Sequence, residues 1–132
     1  MKILIKDPIY GVHLNVFIGD RGDYLKWVKK TYNVELNSAE GTLGTCNALE
    51  ASSKEAMINT VWLEEFKKTP THYAILAHEL YHATQFAMDR VGIPMIDGEA
   101  SAYYHTYLFE NALIEIDAHN KRKKARNARP KH

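Results

Sequence analysis

The sequence predicts an α+β fold, in which a small, mainly antiparallel sheet with one helix is followed by two further helices, the second of them long. Apolar residues alternate with a period of two in the first half, which is typical of strands, whereas the second half has helical spacing with clear start and stop signals. The chain has 132 residues and is 45% hydrophobic, which suffices for one core. We therefore expect a single domain over 1–120 and a basic, disordered tail over 121–132.

The clearest strand lies near the N-terminus, where four apolar residues alternate with other side chains. They are Val12, Leu14, Val16 and Ile18. A period of two buries one face of a strand. A short strand over 2–6 is expected to pair with it, and two more strands are predicted over 45–51 and 56–63, joined by a hairpin turn at 52–55.

One helix is predicted among these strands, over 22–32, after the turn-forming residues 19–23. Its larger apolar side chains are Tyr24, Trp27, Val28 and Tyr32. We expect these side chains to face the sheet. A polar loop that contains glycine is expected over 37–44.

A second helix is predicted over 70–90, because its start and its end are both marked. Thr69 is a suitable N-cap, and Pro70 occupies the first helical position. At the other end Gly92 is a suitable C-cap, and Pro94 follows shortly after it.

This second helix contains the pattern H-E-x-x-H, formed by His78, Glu79 and His82. Positions i and i+4 share one face of a helix, so the two imidazoles can bind one ion, and zinc suits such a pair. Glu79 leaves the helix about 100° around from His78, beside the ion rather than on it. Zinc lowers the pKa of water from near 16 to about 7, and a carboxylate in that place can act as general base.

The surroundings of the motif favour a cleft over a solvent-exposed helix face. His78, His82, Gln85 and Asp89 share one narrow polar stripe. Most of the remaining circumference is apolar, through Ile75, Leu76, Leu80, Ala83, Phe86 and Ala87. The alternative, two surface histidines and a glutamate in this order by chance, would place them among Lys and Glu neighbours, which this helix lacks.

A catalytic zinc has three protein ligands and one open position, so a third donor must come from elsewhere. Glu99 is the candidate, in the first turn of a third helix for which Asp97 is a plausible N-cap. A first-turn acid also favours the helix dipole, and the two roles are compatible. Asp97 remains a rival, whereas Asp89 lies two turns beyond His82 and His105 lies about 240° around its helix from Glu99.

The motif of His78, Glu79 and His82, with Glu99 downstream, resembles the gluzincin branch of the zinc metallopeptidases. In particular it is similar to small metallopeptidases encoded by phages and prophages. The resemblance covers about residues 70–110 and implies a minimal zincin-like fold. It also implies that Zn²⁺ is bound by both histidines and Glu99, with Glu79 as the catalytic base.

Larger gluzincins use a Tyr or His near the zinc to stabilise the oxyanion. Tyr103, Tyr104 and His105 are the candidates for that role here, and no motif selects among them.

These observations predict a zinc-dependent peptidase that hydrolyses peptide bonds. Its partner would be a peptide or protein substrate. We expect the substrate to add as an extended chain to the strand over 57–62, which runs from Met57 to Trp62 directly before the motif helix. The alternative for that strand is a position inside the sheet.

Two other functions remain open. One is a catalytically silent zinc-binding module for assembly or interaction in a phage or prophage, although a structural zinc site would use four protein ligands. The other is a metal-free domain whose tail binds nucleic acid. The tail contains Lys121, Arg122, Lys123, Lys124, Arg126, Arg129 and Lys131, and Pro130 is expected to end any helix there. A solvated tail is favoured over a nucleic-acid contact.

The composition restricts the cellular setting. The net charge of +1 gives no indication of nucleic acid or a membrane surface as partner. The single Cys46 excludes an intramolecular disulfide and indicates a reducing compartment. Neither a signal peptide nor a membrane-spanning stretch is evident, so we expect a cytoplasmic protein, in the bacterial host if it is phage-encoded.

Overall fold

The structure is a computed structural model that describes residues 1–36, 42–50 and 57–130. The described part has the predicted α+β architecture, with four strands and three helices. In chain order they are β1 (Lys2–Ile5), β2 (His13–Ile18), α1 (Arg21–Tyr32), β3 (Gly44–Glu50), β4 (Met57–Leu63), α2 (Pro70–Val91) and α3 (Gly98–Ala128).

The four strands form one mixed sheet in the order β1-β2-β4-β3. The outer pairs, β1 with β2 and β3 with β4, are antiparallel as predicted, while β2 and β4 are parallel. Parallel strands need a long crossover connection, and the segment that contains α1 and β3 supplies it. The predicted hairpin turn at 52–55, and residues 37–41 of the predicted loop, lie outside the described residues.

The position of β4 corrects one expectation. The strand over 57–62 was expected to offer an open edge to substrate, but β4 pairs with strands on both sides, for example through Thr60, which lies opposite Asn15 of β2 and Asn47 of β3. The edge beside α2 belongs instead to β3. The reason is the crossover, which inserts β4 between β2 and β3 and so buries it.

Helices cover both faces of the sheet. Phe17 of β2 and Trp62 of β4 face α1 in one apolar cluster, where they pack with Tyr24 and Val28. Val16 and the other strand residues that alternate with Phe17 and Trp62 point to the opposite face, where they pack with α2 and α3 in a larger cluster. Burial on both faces explains why five of the six residues of β2 are buried, although alternation alone predicted one buried face.

Helix α2 has the caps that the sequence predicted. The side chain of Thr69 accepts a hydrogen bond from the backbone N–H of His72, and Pro70 opens the helix. Gly92 adopts a left-handed conformation with φ of 75°, and its N–H bonds to the carbonyls at the end of the helix. The predicted range of 70–90 is therefore confirmed to within one residue.

Helix α3 runs antiparallel to α2, as two contacts show. A ring nitrogen of His105 lies 3.0 Å from the carbonyl oxygen of Ala77, whereas Asp117, three turns further along α3, forms an ion pair with Lys68 before α2 begins. None of the described helices combines the length and the apolar character that a membrane crossing requires.

The end of α3 differs from the disorder predicted for 121–132. The helix continues to Ala128, with residues 121–128 exposed, and it stops before Pro130 as expected. Lys, Arg and Ala have high helix propensity, and extension of an already packed helix needs no new nucleus. Residues 131 and 132 lie outside the described part.

A buried hydrogen bond connects α3 to the segment between β1 and β2. The hydroxyl of Tyr104 donates to Asp7 over 2.8 Å, and the same carboxylate accepts from the backbone N–H groups of Ile9 and Tyr10. Burial and the neighbouring carboxylate of Asp7 raise the pKa of Tyr104, so its hydroxyl stays protonated and remains a donor.

We expect Tyr104→Phe to lower the free energy of unfolding by about 1.5–3 kcal/mol, because the buried carboxylate of Asp7 loses a donor. Urea unfolding measures this change. The matched control is Tyr103→Phe, which alters a neighbouring residue that is 74% exposed and should shift stability by less than about 0.5 kcal/mol. Equal effects of both changes would contradict a role for the bond.

Candidate metal centre

The two histidines of the motif converge on one point. The Nε2 atoms of His78 and His82 are 3.1 Å apart, and their rings are nearly perpendicular. Two imidazole nitrogens on a tetrahedral zinc, each about 2.0–2.1 Å from the ion, are separated by about 3.3 Å. The observed pair therefore fits two positions of such a site with little rearrangement.

Gln85 orients the second of these histidines. Nδ1 of His82 lies 3.1 Å from the amide oxygen of Gln85, which can only accept. Nδ1 is then the protonated nitrogen, and Nε2 keeps its lone pair for a metal. An outer partner of this kind commonly sets the tautomer of a metal-binding histidine. The sequence placed Gln85 on the polar stripe without assigning this role, although its spacing of three residues from His82 was a usable signal.

Glu79 lies against strand β3 of the sheet, beside Gly44. Its side chain is only 7% exposed, while His78 is exposed to solvent. Burial raises the pKa of Glu79, and the nearby His78 and His82 act in the opposite direction. A carboxyl with a raised pKa is suited to both accepting and returning a proton near neutral pH.

Strand β3 approaches α2 closely at Gly44. A Cβ atom on this residue would lie 3.0 Å from Ile75, 3.1 Å from Leu63 and 3.2 Å from Cγ of Glu79. Only glycine leaves room for this approach, which brings the edge strand beside the general-base candidate. The sequence predicted Gly44 within a loop, whereas in the structure it is the first residue of β3.

Glu99, the predicted third ligand, lies exposed in the first turn of α3. Over the described ranges 1–36, 42–50 and 57–130, no group of three His, Cys, Asp or Glu side chains is arranged to hold a metal ion. The structure therefore brings His78 and His82 together but does not bring Glu99 to them, and its role as a ligand stays a prediction.

The packing of α3 explains this separation. His105 of α3 contacts Ala77 and Tyr81 of α2, each of which immediately precedes a motif histidine. Adjacent residues point about 100° apart on a helix, so α3 packs beside the histidine face rather than on it.

The three candidates for oxyanion stabilisation have different surroundings. Tyr104 is buried and donates its hydroxyl to Asp7, so it points into the core. His105 is held between Ala77 and the ring of Tyr81. Tyr103 is 74% exposed. Tyr104 is therefore excluded by its position, and the structure gives neither of the others a contact with the histidine pair.

Two pockets that are both lined by Glu79 lie along β3. One, of about 390 Å³, is lined by Glu79 and His82 of α2, by residues of β3 and by residues of α1. The other, of about 530 Å³, is lined by Glu79 and His78 together with Leu43 and Gly44. The motif residues thus lie between two spaces that open along the edge strand.

Comparison with known proteins adds no relative. The chain matches no protein-family model, no curated protein and no solved structure. The resemblance to gluzincins therefore rests on the motif residues alone.

We expect Gly44→Val to lower the free energy of unfolding by about 1–3 kcal/mol, because the added methyl groups overlap Ile75, Leu63 and Glu79. Urea unfolding measures the change. Gly98→Val is the matched control, since a Cβ at Gly98 meets nothing within 4 Å. A Gly44→Val protein as stable as the control would show that β3 can move away from α2 at no cost.

Proposed function

We propose that this protein is a zinc-dependent metallopeptidase of the gluzincin type, with His78, His82 and Glu99 as zinc ligands and Glu79 as general base. The observation that carries the proposal is the 3.1 Å separation of the two histidine Nε2 atoms, close enough to the buried Glu79 for both imidazoles to act electrostatically on its carboxyl group. Zinc, when bound, supplies a Lewis acid that makes water a nucleophile at neutral pH.

The protein's own groups would handle the proton. The carboxylate of Glu79 accepts a proton from the attacking water and returns it to the leaving nitrogen of the peptide bond. His82 is held ready by Gln85, so its Nε2 atom needs no reorientation to bind the metal.

The edge of β3 is the better candidate for substrate binding than the strand over 57–62. Among the described residues β3 pairs with β4 on one side only, and it approaches Glu79 at Gly44. An extended peptide can add to such an edge through backbone hydrogen bonds. This addition would place a peptide bond beside the histidine pair.

The alternative, a zinc-binding module without catalysis, is supported less well. A structural zinc site uses four protein ligands and has no use for a general base. The burial of Glu79 close to the two histidines favours catalysis. The assignment of Glu99 as a ligand rests on the resemblance.

We expect Glu79→Gln to retain zinc and to lose peptide hydrolysis by at least about 100-fold, because the amide cannot accept the proton. Elemental analysis and a fluorogenic peptide panel measure the two quantities. Glu110→Gln, at an exposed position of α3, is the control and should retain both. Hydrolysis that persists in Glu79→Gln would refute the general-base role, and a zinc-loaded wild type that cleaves no peptide would favour the interaction module.

We expect Glu99→Gln to weaken zinc binding by more than about 100-fold. Loss of a residue that only hydrogen-bonds to a metal ligand commonly costs about 10–100-fold, and loss of a direct ligand should cost more. Competition with a chromophoric zinc chelator measures the affinity. Asp97→Asn is the control because Asp97 is the rival ligand two residues earlier, and its side chain makes no capping hydrogen bond that the change could remove. If Asp97→Asn weakens binding and Glu99→Gln does not, the assignment of the third ligand is wrong.

A further inference from the structure

One cleft extends from His82 of the motif to the start of α1. This space of about 390 Å³ is lined by Glu79 and His82 on one element and by Arg21 on another. Thr45 and Asn47 of β3 also line it. We call it the Arg21 cleft. A peptide added along the edge of β3 would pass directly over it.

Arg21 is held in place by its neighbours. Its guanidinium lies 5.3 Å from the centre of the Trp62 ring and donates to the hydroxyl of Thr42 over 3.3 Å. Trp62 is itself buried, and its Nε1–H donates to the carbonyl of Gly19 over 2.9 Å. A cation stacked on a fixed aromatic ring is oriented before any ligand arrives, which reduces the entropy lost on binding.

The positive charge of Arg21 is available to a ligand. No ion pair within the described part of the chain includes Arg21. A guanidinium has five N–H donors in a planar fork, and the bond to Thr42 uses one of them. The free edge of the fork matches a carboxylate, which can accept two parallel hydrogen bonds.

The other walls of the cleft strengthen such a contact. Leu25, Leu36 and Phe86 contribute apolar surface, which lowers the local dielectric and makes a charge-assisted hydrogen bond stronger than in water. An uncharged polar group at the same place would not balance the positive charge of the guanidinium. The chemistry of the cleft therefore selects an anion with planar oxygens.

We infer that the Arg21 cleft is a substrate subsite that binds a carboxylate, so that peptides with an acidic group close to the cleaved bond are preferred. This inference rests on the proposed peptidase function. The carboxylate has two possible sources, an Asp or Glu side chain within the peptide or the free C-terminus of the substrate. Both present the same group to Arg21.

The test measures binding as well as cleavage. The probes are acetylated heptapeptides of alanine with a central Glu, Gln or Lys and an amidated C-terminus, together with the all-alanine peptide with a free or an amidated C-terminus. Zinc-loaded Glu79→Gln protein, used as the parent for every further change, allows peptide affinity to be measured by calorimetry without turnover.

We expect the parent to bind the Glu peptide or the free-acid peptide at least about tenfold more tightly than its neutral counterpart. Arg21→Met should abolish this preference. Lys26→Met, which removes an exposed cation from the same helix outside the cleft, should retain it. The acidic probe that binds more tightly than its neutral counterpart identifies the source of the carboxylate.

Charge reversal provides the second variant. Arg21→Glu should fold, because an acid in the first turn of α1 is favourable to the helix dipole. It should prefer the Lys peptide over the Glu peptide. An unchanged preference for the acidic probes in folded Arg21→Glu, or no preference in the parent, would overturn the inference.

The two proposals fail in different ways. If the wild type cleaves neutral and acidic peptides equally, the peptidase function stands and the carboxylate subsite is refuted. If no peptide is cleaved but the preference for acidic probes depends on Arg21, the peptidase function is refuted, and the cleft is a carboxylate-binding site but not a substrate subsite.

Discussion

The close approach of β3 to α2 is the constraint on which the candidate site depends. At Gly44 the strand backbone lies so near Ile75 and Glu79 that a methyl group would not fit without displacement. This contact buries the carboxylate of Glu79 and raises its pKa. It also puts β3, which pairs on one side only among the described residues, next to the helix that contains the histidines. A wider separation would leave Glu79 hydrated and move the strand edge away from the proposed metal.

The groups of the candidate site differ in their exposure to solvent, and this difference suits them to different roles. The imidazoles of His78 and His82 meet where solvent reaches them, whereas Glu79 has little solvent contact. A metal bound by the histidines would therefore face water, while the proposed general base stays in a less polar setting. The Arg21 cleft adds a positive charge near the exposed imidazoles and the buried Glu79.

The long helix α3 stabilises the fold from one side of the site. Tyr104 bonds to the buried Asp7, and His105 contacts Ala77, so the N-terminal part of α3 is fixed against both the β1–β2 segment and α2. That packing directs α3 to the flank of the histidine face. Residues 121–128 continue the helix past the core with exposed basic side chains, which strong helix formers allow without further packing.

The sequence by itself determined the local features, because they depend on neighbours in the chain. The caps of α2, the convergence of His78 and His82, and the α+β class follow from spacing and turn chemistry. Only the tertiary structure decided that β4 is internal, that Gly44 admits β3 beside Glu79, and that Arg21 stacks on Trp62 in the same cleft. These features join segments far apart in sequence, where the order of strands and the packing of helices, rather than periodicity, set which residues meet.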